Sequence, residues 1–406
     1  MAATAPDLAG LFARRVAAAG PALMRAGAAG AAGVIPLTYG FPDPGSFPVQ
    51  EMLEATRVVL GSRPSEALQY GPIAGAGPLL DVLVAKLAGE GIHVSPDNLL
   101  ITAGGSQGID IATHLVIDPG DAMLVEAPTF IGALQTFRNA EASIFEVPLD
   151  EHGLVVDSLE AMLASLAADG IHPKLLYTIP TFQNPAGVTL SAERRPRLVE
   201  LARRYGFLIL EDDAYSELRF DGEPLPSLYS LDPEGHVVQV RTFSKILAAG
   251  LRLGYVVAPA SFHSRLLQLK VDVGTSPFGS HVAATYAADE TSLTGRLDVH
   301  ISELRAIYRE RRDAIIGALE EYAPDGVTWT VPQGGFFTWV TLPEGLDAVE
   351  LLPAARVAGV DYIPGPSYFA SGSGRRHVRL AFSFLRPPDL IEGVRRLMGV
   401  VAGRTQ

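Results

Sequence analysis

Between residues 98 and 257 the chain alternates short apolar runs with amphipathic stretches. The runs are 98–102 (NLLIT), 122–126 (AMLVE), 174–179 (KLLYTI), 207–210 (FLIL), 236–240 (HVVQV) and 253–257 (LGYVV), each bounded by turn or polar residues. A strand with one wet face alternates apolar with polar; a strand covered on both faces reads as a nearly continuous apolar run, so these six predict buried strands. Helical patterns lie between them. The clearest is 191–205, where Leu198, Leu201 and Tyr205 share a face and Pro196 is tolerable only in the first turn. This alternation predicts an α/β fold: a mostly parallel sheet, of about seven strands, with helices on both faces. After residue 295 the rhythm changes to a long helical segment, 297–322, followed by short strands at 328–331, 336–342 and 377–383. The expected organisation is a large α/β domain over 51–295 and a smaller α+β domain made from 35–50 and 296–406. Residues 11–34 are rich in Ala and Gly but broken by Arg14, Arg15 and Arg25, with Phe12, Val16 and Leu23 amphipathically placed. Residues 1–34 therefore predict a helical arm rather than a targeting segment.

With 406 residues, 48% hydrophobic and 19% charged, the chain can bury a large core and is not a disordered one. A net charge of −13 disfavours nucleic acid or an anionic membrane as the main partner. No apolar run is long enough to predict a membrane span. The absence of cysteine excludes disulfides, thiolate metal ligands and cysteine nucleophiles, and fits a cytoplasmic location. No metal site is expected.

In open α/β sheets ligands bind beyond the carboxyl ends of the strands, so the residues there carry the chemistry. NLLIT is followed by Ala103-Gly104-Gly105-Ser106-Gln107-Gly108 and an apolar helix. Such a turn offers free N–H groups to an anion, although Gly-rich turns are also common without one. FLIL is followed by Glu211-Asp212-Asp213-Ala214-Tyr215. A carboxylate at a buried strand end is costly without a partner; it reads as a helix cap, a metal ligand, or the holder of a protonated ring nitrogen. HVVQV is followed by Arg241-Thr242-Phe243-Ser244-Lys245, with Arg252 beyond. Lys245 is either a surface lysine at a turn or, wedged between apolar stretches, a desolvated nucleophile; Thr242, Ser244 and the Arg252 fork suit a phosphate. KLLYTI leads to Pro180 and Gln183-Asn184-Pro185-Ala186-Gly187, a turn in its own right.

Taken together, these segments resemble the class I/II aminotransferases of pyridoxal 5′-phosphate (PLP) fold type I, from about residue 35 to 384. The likeness is carried by LQYGPIAG (68–75), VEAPTF (125–130), YTIPTFQNPAG (177–187), EDDAY (211–215), TFSKILAAGLRLGY (242–255), PQGGFFTWV (332–340) and RLAFS (379–383), and is nearest in wording to the kynurenine/2-aminoadipate group. The resemblance implies PLP as cofactor, held covalently by Lys245 as a Schiff base. It implies that Asp212 pairs with the ring nitrogen, that Asn184 and Tyr215 bond the phenolic oxygen, and that Phe130 stacks on the ring. Gly105, Ser106, Thr242, Ser244 and Arg252 would form the phosphate cup, with Tyr70 reaching the phosphate of a neighbouring subunit in a homodimer. Arg379 would grip the substrate carboxylate, and Gly40 would lie where the N-terminal segment closes over the substrate. The implied activity is ping-pong transfer of an amino group from an L-amino acid (aromatic, aliphatic or 2-aminoadipate-like) to a 2-oxo acid. Lys245, Asp212 and Tyr215 are the expected catalytic residues. Departures are Gly105 in place of a serine, Ala249 in place of a proline, and the aromatic pair Tyr39 and Phe41 flanking Gly40; Tyr39 is expected either to border the substrate or to pack at a domain seam. The same apparatus supports decarboxylation, elimination or carbon–carbon bond formation on other members of the fold. A PLP-sensing regulator would need a DNA-binding module, for which residues before 35 leave no room. A dinucleotide enzyme would need G-x-G-x-x-G after its first strand.

Overall fold

The computed structural model describes residues 9–13, 15–16 and 33–405. Most of the arm expected over 1–34 lies outside the described residues. The main sheet orders its strands Leu99–Thr102, Gly254–Val257, Val237–Thr242, Leu208–Asp213, Leu175–Thr178, Ala122–Ala127, Ser143–Asp150 and Gly153–Leu154. Gly254–Val257 runs antiparallel to both neighbours, as does the two-residue strand Gly153–Leu154 to its one neighbour; the other pairings are parallel.

All six apolar runs are strands, shifted by a residue or more at their ends. Their continuous hydrophobicity has a direct cause. Met123, Val125, Tyr177, Leu210 and Val240 face one apolar cluster with Ile109, Leu134 and Phe137. Their chain neighbours Leu124, Leu176 and Ile209, with Val237, face another with Leu159, Leu163 and Leu198. Two differences from the sequence reading matter. Ser143–Asp150 was not expected; near the sheet edge it is mostly half-buried and so lacks the continuous apolar signature. The strand expected at 207–210 continues through Glu211, Asp212 and Asp213, three buried acids that poor strand propensity hides and that specific partners hold in place.

The helix expected at 191–205 is Arg194–Tyr205, with Pro196 in its first turn. Helix Gly295–Tyr322 buries Leu297, Ile301, Leu304, Tyr308, Ile315 and Leu319, spaced three or four apart or in multiples of them, and packs along Pro387–Thr405. A four-stranded antiparallel sheet follows, ordered Thr328–Trp329, Phe337–Thr341, His377–Ala381, Ile363–Pro364. The first of these has only two residues, against the four expected at 328–331. Ile35–Pro36 pairs in parallel with Val360–Asp361, and Leu37 O accepts Ala381 N–H at 2.9 Å, which brings residues 38–41 over the ends of the large sheet. Among the described residues no helix is long and apolar enough to cross a membrane.

Candidate active site

The chain has four lysines. Three are committed to carboxylates: Lys86 to Glu217 at 2.5 Å, Lys174 to Asp121 at 2.5 Å, and Lys270 to Asp272. Lys245 instead stands in a wide π-helical turn, Ser244–Ala248, just beyond strand Val237–Thr242, and its Nζ donates to Gly40 O at 2.9 Å. The Phe336 ring lies 5.5 Å away. Withdrawal from water lowers its pKa to about 8; Arg379 and Arg252 push the same way, and Asp212 opposes them. A lysine so placed reaches the neutral, nucleophilic form near physiological pH.

Strand pleating sets the acids. Glu211 and Asp213 point to one side of Leu208–Asp213. There Glu211 accepts Leu228 N–H, Tyr229 N–H and Gln239 Nε2, and Asp213 pairs with Arg241 at 2.8 Å. Asp212 points to the other side and accepts the Tyr177 hydroxyl at 2.6 Å. Burial raises Asp212 to about 6; the Tyr177 bond opposes this, the Asp213 charge adds to it, and Lys245 opposes it. A buried carboxylate with a single hydroxyl donor is stabilised as an anion by one more N–H, preferably a cationic one.

A polar chain crosses the cleft beside these groups. Burial pushes the Tyr215 hydroxyl well above its ordinary pKa, and the Asn184 side chain opposes that rise. Asn184 Oδ1 accepts Arg379 Nη1 at 3.2 Å, and Arg379 Nη2 donates to Thr38 O at 2.6 Å. The buried Arg379 guanidinium lies between the rings of Phe337 (4.3 Å) and Tyr368 (5.2 Å), and its Nε has no hydrogen-bond partner among the described residues. Gly40 is required where it stands: a Cβ there would come within 2.5 Å of the Phe337 ring. Tyr39 stacks on Phe41 at 5.1 Å, and Phe384 closes edge-on against both.

At the adjoining strand ends Gly104 has φ +84° and precedes helix Gly105–His114, whose first turn has no side-chain cap. A side chain at Gly104 would meet Arg252 Nη2 at 2.6 Å. Arg252, itself at φ +51°, turns its guanidinium back onto this loop. Thr242 Oγ1 bonds Ser244 Oγ at 2.9 Å beside it, and Ser106 is exposed at the helix start. Free N–H groups, two hydroxyls and a guanidinium around one turn make an anion cradle. Phe130 is half-buried at the start of helix Ile131–Asn139. Tyr70 is not among the residues gathered around Lys245; it is 83% exposed.

Lys245, Asp212, Tyr215, Asn184, Arg379 and Gly40 are thus linked by contacts or charge, with the cradle residues next to them. Several members had not been singled out from sequence: Tyr177, Thr38, Phe336, Phe337, Tyr368 and Glu126. Tyr177 is the one whose signal was available, a polar-tipped residue inside an apolar strand. An anion cradle, an amine poised to attack and a lone buried carboxylate fit PLP, whose phosphate, aldehyde and ring nitrogen need those three partners.

Comparison with known proteins gives the family. Residues 32–390 match the family described as aminotransferase class I and II, and the chain belongs to that family. It is 43% identical over 367 residues to aromatic-amino-acid aminotransferase 1 of Thermococcus litoralis, covering 90% of this chain and 87% of that one. It is 34% identical over 374 residues to 2-aminoadipate transaminase of Thermus thermophilus, covering 91% of each. Among solved structures, Pyrococcus horikoshii kynurenine aminotransferase, in complex with PMP, KYN as substrates and KYA as products, superposes with a TM-score of 0.91 at 37% identity, over 98% of this chain and 99% of that one. The protein is a PLP-dependent aminotransferase.

Glu126 supports the loop that carries Asn184. It is buried and accepts Thr178 Oγ1–H, Ile179 N–H and Gln183 Nε2 at 3.0 Å, while Gln183 Oε1 holds Ala186 N–H. Burial raises it to about 7 against those three hydrogen bonds, with Asp212 adding to the rise. A carboxyl whose folded pKa exceeds its unfolded value binds protons more tightly when folded. Stability is therefore greatest below the unfolded pKa near 4.5 and falls as pH rises to about 7. Glu126→Gln removes the charge and keeps one oxygen to accept Ile179 N–H and Gln183 Nε2. At pH 8 it should be more stable than the parent by about 3 kcal/mol, and near pH 4 equal to it. Urea unfolding across pH checks this; a variant less stable at every pH would show that the anion is the favoured form.

Proposed function

We propose that the preferred amino donor is an aromatic or aliphatic L-amino acid, with 2-aminoadipate-like donors within range, and that Arg379 receives its α-carboxylate. The carrying observation is Arg379 itself: a buried guanidinium without a carboxylate partner among the described residues, set between two aromatic rings and, through Thr38, beside the Tyr39–Phe41–Phe384 cluster. Arg375 and Arg376 are committed to Asp347 and to Leu342 O, which favours an uncharged substrate side chain. The names of the relatives, aromatic, kynurenine and 2-aminoadipate aminotransferases, support the same range.

In this reading Lys245 holds the cofactor through its Nζ, and the Gly105, Ser106, Thr242, Ser244 and Arg252 cradle takes the phosphate. Bound PLP supplies an electron-accepting ring that stabilises charge at the substrate α-carbon. Asp212 keeps a proton on the ring nitrogen, Asn184 and Tyr215 hold the phenolic oxygen, and Phe130 covers a ring face. Lys245 Nζ, once substrate is bound, would take the α-proton and deliver it to the cofactor side of the transferred nitrogen. Residues 38–41, with Tyr39 and Gly40 at the substrate, exclude water from this transfer. Mixing the yellow holoenzyme with single amino acids, without a 2-oxo acid, tests the assignment. Phenylalanine, tyrosine or leucine should bleach the visible band and release one equivalent of 2-oxo acid. A response to acidic donors alone would overturn it.

We further propose a homodimer with Tyr70 lent to the partner's phosphate site. Exposed Leu68, Tyr70 and Ile73 adjoin exposed Val271 and Val273, and Gly274 packs on the backbone of Gly71 and Pro72, which supports one continuous apolar patch. Light scattering should give twice the chain mass; a fully active monomer would sink the proposal.

A further inference from the structure

Tyr177 is an exception in its strand. Leu175–Thr178 is buried throughout and Tyr177 has no exposed surface, yet its side chain ends in a hydroxyl. The ring packs in an apolar cluster with Met123, Val125 and Leu134, edge-on to Phe137 at 5.1 Å. A phenylalanine would serve that packing equally well. What the hydroxyl adds is one hydrogen bond, to Asp212 Oδ2 at 2.6 Å.

The register of the sheet shows why a tyrosine suits this place. Tyr177 lies opposite Leu210 on the parallel neighbour Leu208–Asp213, and the two face the same cluster. Asp212 is two residues further along on that face, a rise of roughly 6.6 Å. A tyrosine leaning along the strand spans that step and keeps its body in the apolar layer; serine or threonine would fall short. The bond runs in one direction, because an ionised carboxylate only accepts. It occupies Oδ2 and leaves Oδ1 without a donor among the described residues. Asp212 keeps 8% of its surface open where Tyr177 keeps none, so the carboxylate, and not the phenol, is what meets the cleft. With Oδ2 pinned, the carboxylate no longer turns freely, and its other oxygen has a fixed direction. A hydrogen bond to a charged group also favours that charged form over the neutral acid.

We propose that Tyr177 is a positioning residue for the reaction: it orients Asp212 and keeps it a carboxylate, so that Oδ1 meets the ring nitrogen of PLP as an anion. This rests on the assignment of Asp212 to the ring nitrogen given above. The other groups acting on Asp212 are Lys245, Asp213 on the far side of the same strand, Glu126 from Ala122–Ala127, and the Tyr215 hydroxyl. Tyr177→Phe leaves all four in place.

The test is PLP binding to the full chain stripped of cofactor, followed by absorbance between pH 5 and 8. It compares the parent, Tyr177→Phe, Asp212→Asn and the double variant. Burial raises Asp212 to about 6 in the parent, so affinity for PLP should fall as pH drops through that value. The phenol opposes that rise, and its loss should move the fall upward by about one pH unit, the size expected for a hydrogen bond to a charged group. At pH 5 Tyr177→Phe should then bind PLP about 10-fold more weakly than the parent, with the difference shrinking toward pH 8. In the Asp212→Asn background the same substitution should leave the profile unchanged. Equal weakening at every pH would mean that the phenol only packs. An unchanged curve would mean that it does not act on Asp212, and a shift that persists in the double variant would assign it to another group; each of these overturns the proposal. If Asp212→Asn alone keeps the parental fall, Asp212 does not meet the ring nitrogen, and the reading beneath fails whatever Tyr177→Phe does.

Discussion

Lys245→Ala should lower kcat for transamination by about 10,000-fold, the upper end of what a positioned proton-transfer group contributes. The expectation follows from how the four lysines are distributed. Lys86, Lys174 and Lys270 are held by carboxylates, whereas Lys245 contacts a backbone carbonyl and is lowered to about 8. It is thus the lysine the fold leaves able to lose its proton near neutral pH. The truncation opens space beside Phe336 and Gly40. A small primary amine such as methylamine should therefore restore part of the rate, with a dependence on free-base concentration. Lys245→Arg should not be rescued, because a guanidinium stays protonated and fills the space. Single-turnover measurements with phenylalanine check both points. More than a hundredth of the parental rate in the alanine variant, without added amine, would remove Lys245 from proton transfer.

The second large effect concerns Asp212. Asp212→Asn keeps the shape and an acceptor for the Tyr177 hydroxyl but removes the charge that would hold a proton on the ring nitrogen. A loss of about 100- to 1000-fold in kcat is expected, in line with breaking a buried charge pair from one side. The same substitution should alter cofactor binding in a pH-dependent way. Because burial raises Asp212 to about 6 before the cofactor binds, its carboxylate is lost as pH falls through 6, and PLP affinity of the parent protein should drop there. In Asp212→Asn that drop should be missing, since the residue no longer titrates. Equilibrium titration of the apoprotein between pH 5 and 8 measures it. Parallel curves would assign the pH dependence to another group.

How much of this was legible in the sequence varies with the kind of information needed. The central strands were readable because burial on both faces demands uninterrupted apolar residues, as 122–126 and 174–179 illustrate. Ser143–Asp150 was not, since a half-buried strand next to the sheet edge leaves a mixed pattern. Strand ends pointed to Lys245, Asp212 and the Gly104–Gly105 turn, because an α/β sheet places its ligands there. Arg379 and Gly40 were reached through family resemblance; periodicity alone would have passed over both.

Strand Leu208–Asp213 ends in three consecutive carboxylates, and only the pleat decides which of them faces the cleft. Their placement obeys a parity rule: odd-numbered Glu211 and Asp213 serve the scaffold, even-numbered Asp212 the reaction. Substituting residues upstream leaves that parity intact. Adding or deleting one residue within the strand would exchange the two sets, aiming a scaffold acid at the cofactor and stranding Asp212 beside Arg241 and Gln239. This segment should therefore vary in composition far more freely than in length.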